Sequence, residues 1–237
     1  MKAILLLPAF LIGMGLASLA QNQPAAAPAT KVDPERAAFD KVVDDGKLPR
    51  VLLIGDSISI GYTLPVRELL HGKANVHRIP TNGGPTTNGL ARLQAWLGAG
   101  KWDVIHFNWG LHDLRFMADG QRQVSLEAYE NNLRELVRQL KARGAELIWA
   151  STTPVPEGKL NPPRLNADVE AYNAAARKIM DEQKVAVDDL YELALPQLAK
   201  IQRPANVHFT VEGSKVLAKQ VATSIEAALT KKHAAGK

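Results

Sequence analysis

The sequence predicts an α/β domain built on a five-stranded parallel sheet with helices on both faces. Short apolar runs alternate with stretches of helical spacing, as expected of repeated strand–helix units. Val51-Leu52-Leu53-Ile54 is uninterruptedly apolar and ends at Gly55, the pattern of a strand covered on both sides. Neither an internal repeat nor a linker appears between Pro34 and Leu229, so one domain accounts for most of the 237 residues.

Taken in order, Asp33-Pro34 supplies a cap and a first-turn proline for a short helix to about Val43. Strands follow at Val51–Ile54, Asn75–Ile79, Val104–Asn108, Glu146–Ser151 and Val185–Val187. Between the third and fourth, Leu126, Tyr129, Leu133, Leu136, Val137 and Leu140 form one apolar stripe that stops at Gly144. Val169, Tyr172, Ala176 and Ile179 give a second helix over residues 166–184, and a last one spans 212–229. In such sheets ligands bind beyond the carboxyl ends of the strands, which directs attention to the loops there.

Composition narrows the chemistry. There is no cysteine, which removes disulfide frameworks, thiolate catalysis and cysteine zinc sites. The net charge of +5 comes from 29 basic and 24 acidic residues scattered along the chain, a poor footprint for nucleic-acid binding. Lys2, the apolar stretch from Ala3 to Leu16 and the small residues Ala17-Ser18-Leu19-Ala20 read as an export signal cut after Ala20. A retained anchor is the rival reading, but the stretch is short for spanning and carries Pro8, Gly13 and Gly15. Residues 21–33 read as a flexible linker, residues 34–230 as the domain and residues 231–237 as a basic tail. The expected protein is therefore exported, periplasmic or secreted, monomeric and not membrane-inserted once the signal is removed.

The loops carry the polar residues. After the first strand comes Gly55-Asp56-Ser57, where a serine at the strand end is exposed to attack a substrate or merely caps a helix. The second leads to Asn82-Gly83-Gly84-Pro85-Thr86-Thr87-Asn88-Gly89, whose backbone N–H groups suit an oxyanion. A phosphate loop competes for this segment, but Leu90-Ala91 stand where Lys and Ser/Thr belong. Gly110-Leu111-His112-Asp113 follows the third strand, and residues 152–156 after the fourth suggest a pocket wall. Before the last helix stands Pro204-Ala205-Asn206-Val207-His208-Phe209-Thr210. Each segment alone also reads as a cap, turn or packing element.

Together, in this order, these segments resemble the SGNH (GDSL-type) hydrolase family across about Val51 to Leu229. The resemblance implies a three-layer αβα sandwich with a flavodoxin-like five-stranded parallel sheet. It also implies a carboxylic ester hydrolase that needs no cofactor and no metal. It makes Ser57 the nucleophile, His208 the general base, and Ser57, Gly84 and His112 the oxyanion donors. Asp56, Asp113 and Asn206 are supporting candidates. Two departures stand out: His112 occupies the place of the family's Asn, and Ala205 that of the acid in Asp-x-x-His. Asn206 could bond the imidazole without adding charge, and Asp188 or Asp189 could supply a distant carboxylate. Asp113 or Asn108 could pair the second nitrogen of His112.

The expected substrate is a small-molecule or glycan ester, with short acyl groups on a carbohydrate favoured by the low aromatic content and by Trp109 and Trp149 as sugar platforms. Two alternatives are a carbohydrate-binding pseudoenzyme of the same fold and a metal-dependent hydrolase using His106, His112, Asp113 and His208.

Overall fold

The uninterrupted apolar run becomes β1 (Arg50–Ile54), an interior strand of the sheet. In the computed structural model, which describes residues 34–235, it is flanked by β2 (Asn75–Arg78) and β3 (Val104–Phe107), followed by β4 (Glu146–Ala150) and β5 (Ala186–Asp188). The order is β2-β1-β3-β4-β5 and all neighbours pair in parallel. The register aligns Leu52 with His77 on one side and with Ile105 on the other. This is the predicted flavodoxin-like sheet. Its topological switch lies at β1, where the chain turns to β2 on one side and β3 on the other, and a ligand crevice is expected there.

Alternation along the strands divides the core in two. Leu52, Ile54, Ile105, Phe107, Leu147 and Trp149 face one layer, containing α3 (Thr86–Leu97), α4 (Leu126–Lys141) and α5 (Asn166–Gln183). Val51, Leu53, Val104, Ile148 and Ala150 face the other, where α2 (Ser57–Leu69) packs along α8 (Val211–Ala235).

The structure departs from the sequence reading at several places. The first helix, α1, covers only Pro34–Ala37. Ala38 is buried, but Val43, its expected last residue, is 90% exposed, so burial gives a helix nothing to continue for that far along the segment. After β5 the chain forms α6 (Leu190–Ala194), a 3₁₀ turn (Leu195–Gln197) and α7 (Leu198–Ile201), none of which the sequence reading assigned. The residues assigned to a basic tail continue α8 to Ala235, with Lys231 bonded to Glu146 and Lys232 to Asp103. Trp109 and Trp149 are buried in the core, 1% and 0% exposed, so neither is a platform for a sugar. The signal, its cleavage point and residues 21–33 lie outside the described residues. No helix among the described residues is long and apolar enough to cross a membrane.

Candidate active site

Gly55 ends β1, and the chain turns straight into α2. Asp56 is its N-cap, 4% exposed, with Oδ1 accepting from the N–H of Ile58 at 2.9 Å. Ser57 is therefore the first residue of α2. Its N–H is one of the donors a helix leaves unbonded at its start, and the dipole there favours negative charge.

The imidazole comes from the far end of the chain. Residues 202–209 fold back on themselves: Gln202 and Phe209 form a bridge, Arg203 N–H donates to His208 O at 2.9 Å, and Gln202 Nε2 to Val207 O at 3.1 Å. Thr210 closes the segment by accepting from Gly213 N–H through Oγ1, which caps α8. This places His208 Nε2 2.8 Å from Ser57 Oγ, across 151 residues of chain.

Asn206 sets the direction of that bond. Its Oδ1 accepts the backbone N–H of His208 at 2.9 Å and lies 2.7 Å from His208 Nδ1. The backbone N–H can only donate, so the atom facing it is the amide oxygen. That oxygen in turn requires a proton on Nδ1. Nε2 is then bare and accepts from the Ser57 hydroxyl. Ala205 takes a left-handed conformation, φ 48°, and the turn it makes brings Asn206 under the ring. The proposed distant acids are engaged elsewhere. Asp188 pairs with His106 in the core at 2.9 Å, while Asp189 caps α6 and binds Ser151 and Arg177.

On the other side of Ser57 stand the loops after β2 and β3. Gly83 N–H donates to Gly55 O at 2.9 Å, and a Cβ at Gly83 would meet that same oxygen at 2.9 Å. Two backbones thus approach as closely as glycine allows. Arg78, buried at the end of β2, donates to Gly55 O at 3.3 Å and to Ser59 Oγ at 2.7 Å. Its burial lowers its pKa to about 10. The sequence reading missed this residue, whose signal was a charge at the carboxyl end of a strand. Gly84 has φ +62°, and its N–H is held by Asn82 Oδ1 at 2.9 Å.

His112 is half-buried, and no hydrogen bond holds its ring among the described residues. Neither expected partner reaches it. Asn108 donates to Ala150 O at 2.8 Å, and Asp113 turns inward. There, fully buried, Asp113 Oδ1 accepts from Thr86 N–H at 2.8 Å and from Thr86 Oγ1 at 2.5 Å. It caps α3, whose own N-cap, Pro85, provides no side-chain bond. The His112 loop and the Gly84 loop are thereby tied through one carboxylate. Burial pushes the Asp113 carboxyl up to about 7, against the lowering effect of the Thr86 bonds. Burial also lowers the pKa of both His112 and His208, while Asp56 pulls each back up. Both imidazoles are therefore held toward their neutral forms.

The residues of the metal reading are not assembled. His106 is consumed by Asp188 inside the sheet, and no group of three His, Asp or Glu side chains among the described residues could hold a metal ion. The loop after β4 is not the wall of the main groove either. Thr152 and Thr153 border a buried space of about 10 Å³ with Asp56 and Asn108.

The geometry can do nucleophilic chemistry: a hydroxyl bonded to a neutral imidazole, whose second nitrogen is fixed, beside a helix N-terminus. Known proteins agree with the frame. The sequence profile of the GDSL-like lipase/acylhydrolase family matches residues 53–216, more than half of the chain. No curated protein matches the sequence. Among solved structures, an acetyl xylan esterase is 16% identical, with a TM-score of 0.65 over 74% of this chain and 99% of its own. A lipase/acylhydrolase from Enterococcus faecalis is 20% identical, with a TM-score of 0.66 over 76% and 96%. An acetylxylan esterase from Geobacillus stearothermophilus is 22% identical, with a TM-score of 0.63 over 78% and 96%. At these identities the structures speak for the fold, and the profile speaks for the family. The chain belongs to the GDSL-like lipase/acylhydrolase family and is, with it, a carboxylic ester hydrolase of the SGNH type.

Proposed function

We propose that this protein is an exported serine esterase that removes short acyl groups, acetyl above all, through an acyl-enzyme. The observation that carries this reading is the run of bonds from Asn206 through His208 to Ser57. Nε2 takes the Ser57 proton as Oγ attacks the ester carbonyl. The oxyanion forms against the Ser57 N–H, the His112 ring and the Gly84 N–H, the last released from Asn82. His208, now charged, returns the proton to the leaving alcohol, and water repeats the cycle on the acyl-serine. Asn206 keeps the productive tautomer but adds no charge to stabilise the imidazolium, so the catalytic unit is a Ser-His dyad with an amide as orienter.

A carbohydrate alcohol is the expectation from sequence, and two of the structural neighbours are acetyl xylan esterases. The buried tryptophans no longer speak for it. Ser57→Ala tests the assignment: ester hydrolysis should fall by about 10³-fold or more, and labelling by a fluorophosphonate should vanish. Unchanged turnover would overturn the role of Ser57, and an unlabelled native protein with no turnover would favour the pseudoenzyme.

A further inference from the structure

A groove of about 490 Å³ opens at Ser57 and His208 and runs between α2 and the first turn of α8. Its walls are apolar: Ile58, Ile60, Leu64 and Pro65 from α2, then Phe209 and Val211. Val211 is 67% exposed, an apolar residue left in water at the groove's edge. The charged lining residues Glu35, Glu68 and Arg203 are themselves exposed. Gly61 sets the width, since a Cβ there would meet Ser214 Oγ at 3.0 Å.

The groove lies on a defined side of the nucleophile. Neither Gly84 nor His112 lines it. Their loops lead toward the layer of α3–α5, whereas the groove follows the layer of α2 and α8. In the tetrahedral intermediate the oxyanion points to the first side. The leaving oxygen must lie within reach of Nε2, because that nitrogen delivers its proton. Ser57 and His208 both line the groove, so a leaving oxygen between them sits at its mouth.

We propose that this groove is the binding site for the alcohol half of the ester, and that it selects an alkyl or aryl alcohol. The proposal rests on the serine-esterase reading and deepens it: the acyl half stays short, and the leaving half is apolar. Desolvating a hydroxyl-rich sugar would leave unpaired those donors and acceptors that face Ile60, Leu64 and Val211, whereas a hydrocarbon gains from the same burial.

The test keeps the acyl group constant. The purified full chain is assayed on methyl, butyl and hexyl acetate and on acetylated xylobiose, alongside the Leu64→Asn and Val211→Asp variants. Full burial gives about fourfold per methylene; a groove open on one side is expected to give about twofold. The ratio of kcat/KM for hexyl over methyl acetate should therefore be about 30. Both variants should lower that ratio at least about threefold; Val211 is exposed, so its replacement does not threaten the fold. A flat alcohol series, faster turnover of acetylated xylobiose than of hexyl acetate, or an equal loss on all esters in both variants would overturn the proposal. Hydrolysis that survives Ser57→Ala would instead overturn the serine-esterase reading beneath it.

Discussion

Replacing Asn206 by aspartate puts a charge where the wild-type protein has only a dipole. The substituted oxygen would keep both bonds that Asn206 Oδ1 makes, to the His208 N–H at 2.9 Å and to Nδ1 at 2.7 Å, so the geometry is conserved and only the electrostatics change. Charge centres about 4 Å apart interact by about 4 kcal/mol at an effective dielectric constant near 20. His208 and residue 206 are half-buried, and solvent screening reduces this to about 1.5–3 kcal/mol. That corresponds to a His208 pKa raised by about 1–2 units. The same attraction stabilises the imidazolium that develops in the transition state, so kcat should rise about 10- to 100-fold. The pH profile of kcat/KM on p-nitrophenyl acetate reads both effects. In the wild type, burial lowers the His208 pKa below 6.5, so activity should be retained down to that range and lost beneath it as the base protonates. In Asn206→Asp the acid limb should move to higher pH and the plateau should climb. A plateau within twofold of wild type together with an unmoved acid limb would refute the claim that Asn206 orients the base.

Three further outcomes follow from the same geometry. Asp113 ionises near 7 when folded and near 3.8 when unfolded, so between those values the folded state binds more protons. Its contribution to stability is full below pH 4 and declines by up to about 4 kcal/mol as pH rises to 7. Asp113→Asn should flatten that decline, and thermal melts at pH 4.5 and 7.5 that stay parallel to wild type would contradict this. His112→Ala should reduce kcat about 10²- to 10³-fold while His112→Asn stays within about tenfold, since either ring or amide can donate to an oxyanion; steady-state kinetics of an alanine variant at full speed would remove His112 from the site. His106→Leu should destabilise the fold by about 3–5 kcal/mol, because it leaves the Asp188 carboxylate buried without its partner. Denaturant titration measures that loss, and kcat of the folded variant should stay unchanged, whereas a catalytic or metal-binding His106 would abolish it.

The sheet could be read from sequence chiefly because β1 and β4 are buried on both faces and spell that burial as apolar runs. The helices α4 and α5 were equally plain, each stamping one stripe on a polar background. What escaped was set by partners distant in sequence. The segment 190–201 is too short and too interrupted, by Pro196, for a period to emerge. The end of α8 looked like a tail because its lysines are held by Glu146 and Asp103, which no local pattern announces. At the site, Ser57 and His208 were named through the order of the loop motifs, which resembles the SGNH family, since each segment alone reads equally as a cap, turn or packing element. Asn206 was one of several options for orienting the ring; what the sequence did not show is the left-handed Ala205 that brings it there and the backbone N–H that fixes which amide atom faces the imidazole. The charge state and partner of Asp113 were hidden for a similar reason: a carboxylate next to His112 in sequence turns away from it to cap a helix 27 positions upstream.

That carboxylate has a consequence for anyone who would remodel the protein. Because one oxygen of Asp113 grips both the amide and the hydroxyl of Thr86, the segments at 82–88 and 108–114 behave as a single mechanical part. A graft that exchanges one for a longer or differently shaped counterpart would strand the other's anchor in the interior. The oxyanion side of the site is therefore expected to change only through paired replacements, whereas the opposite side of the nucleophile can be recut one residue at a time.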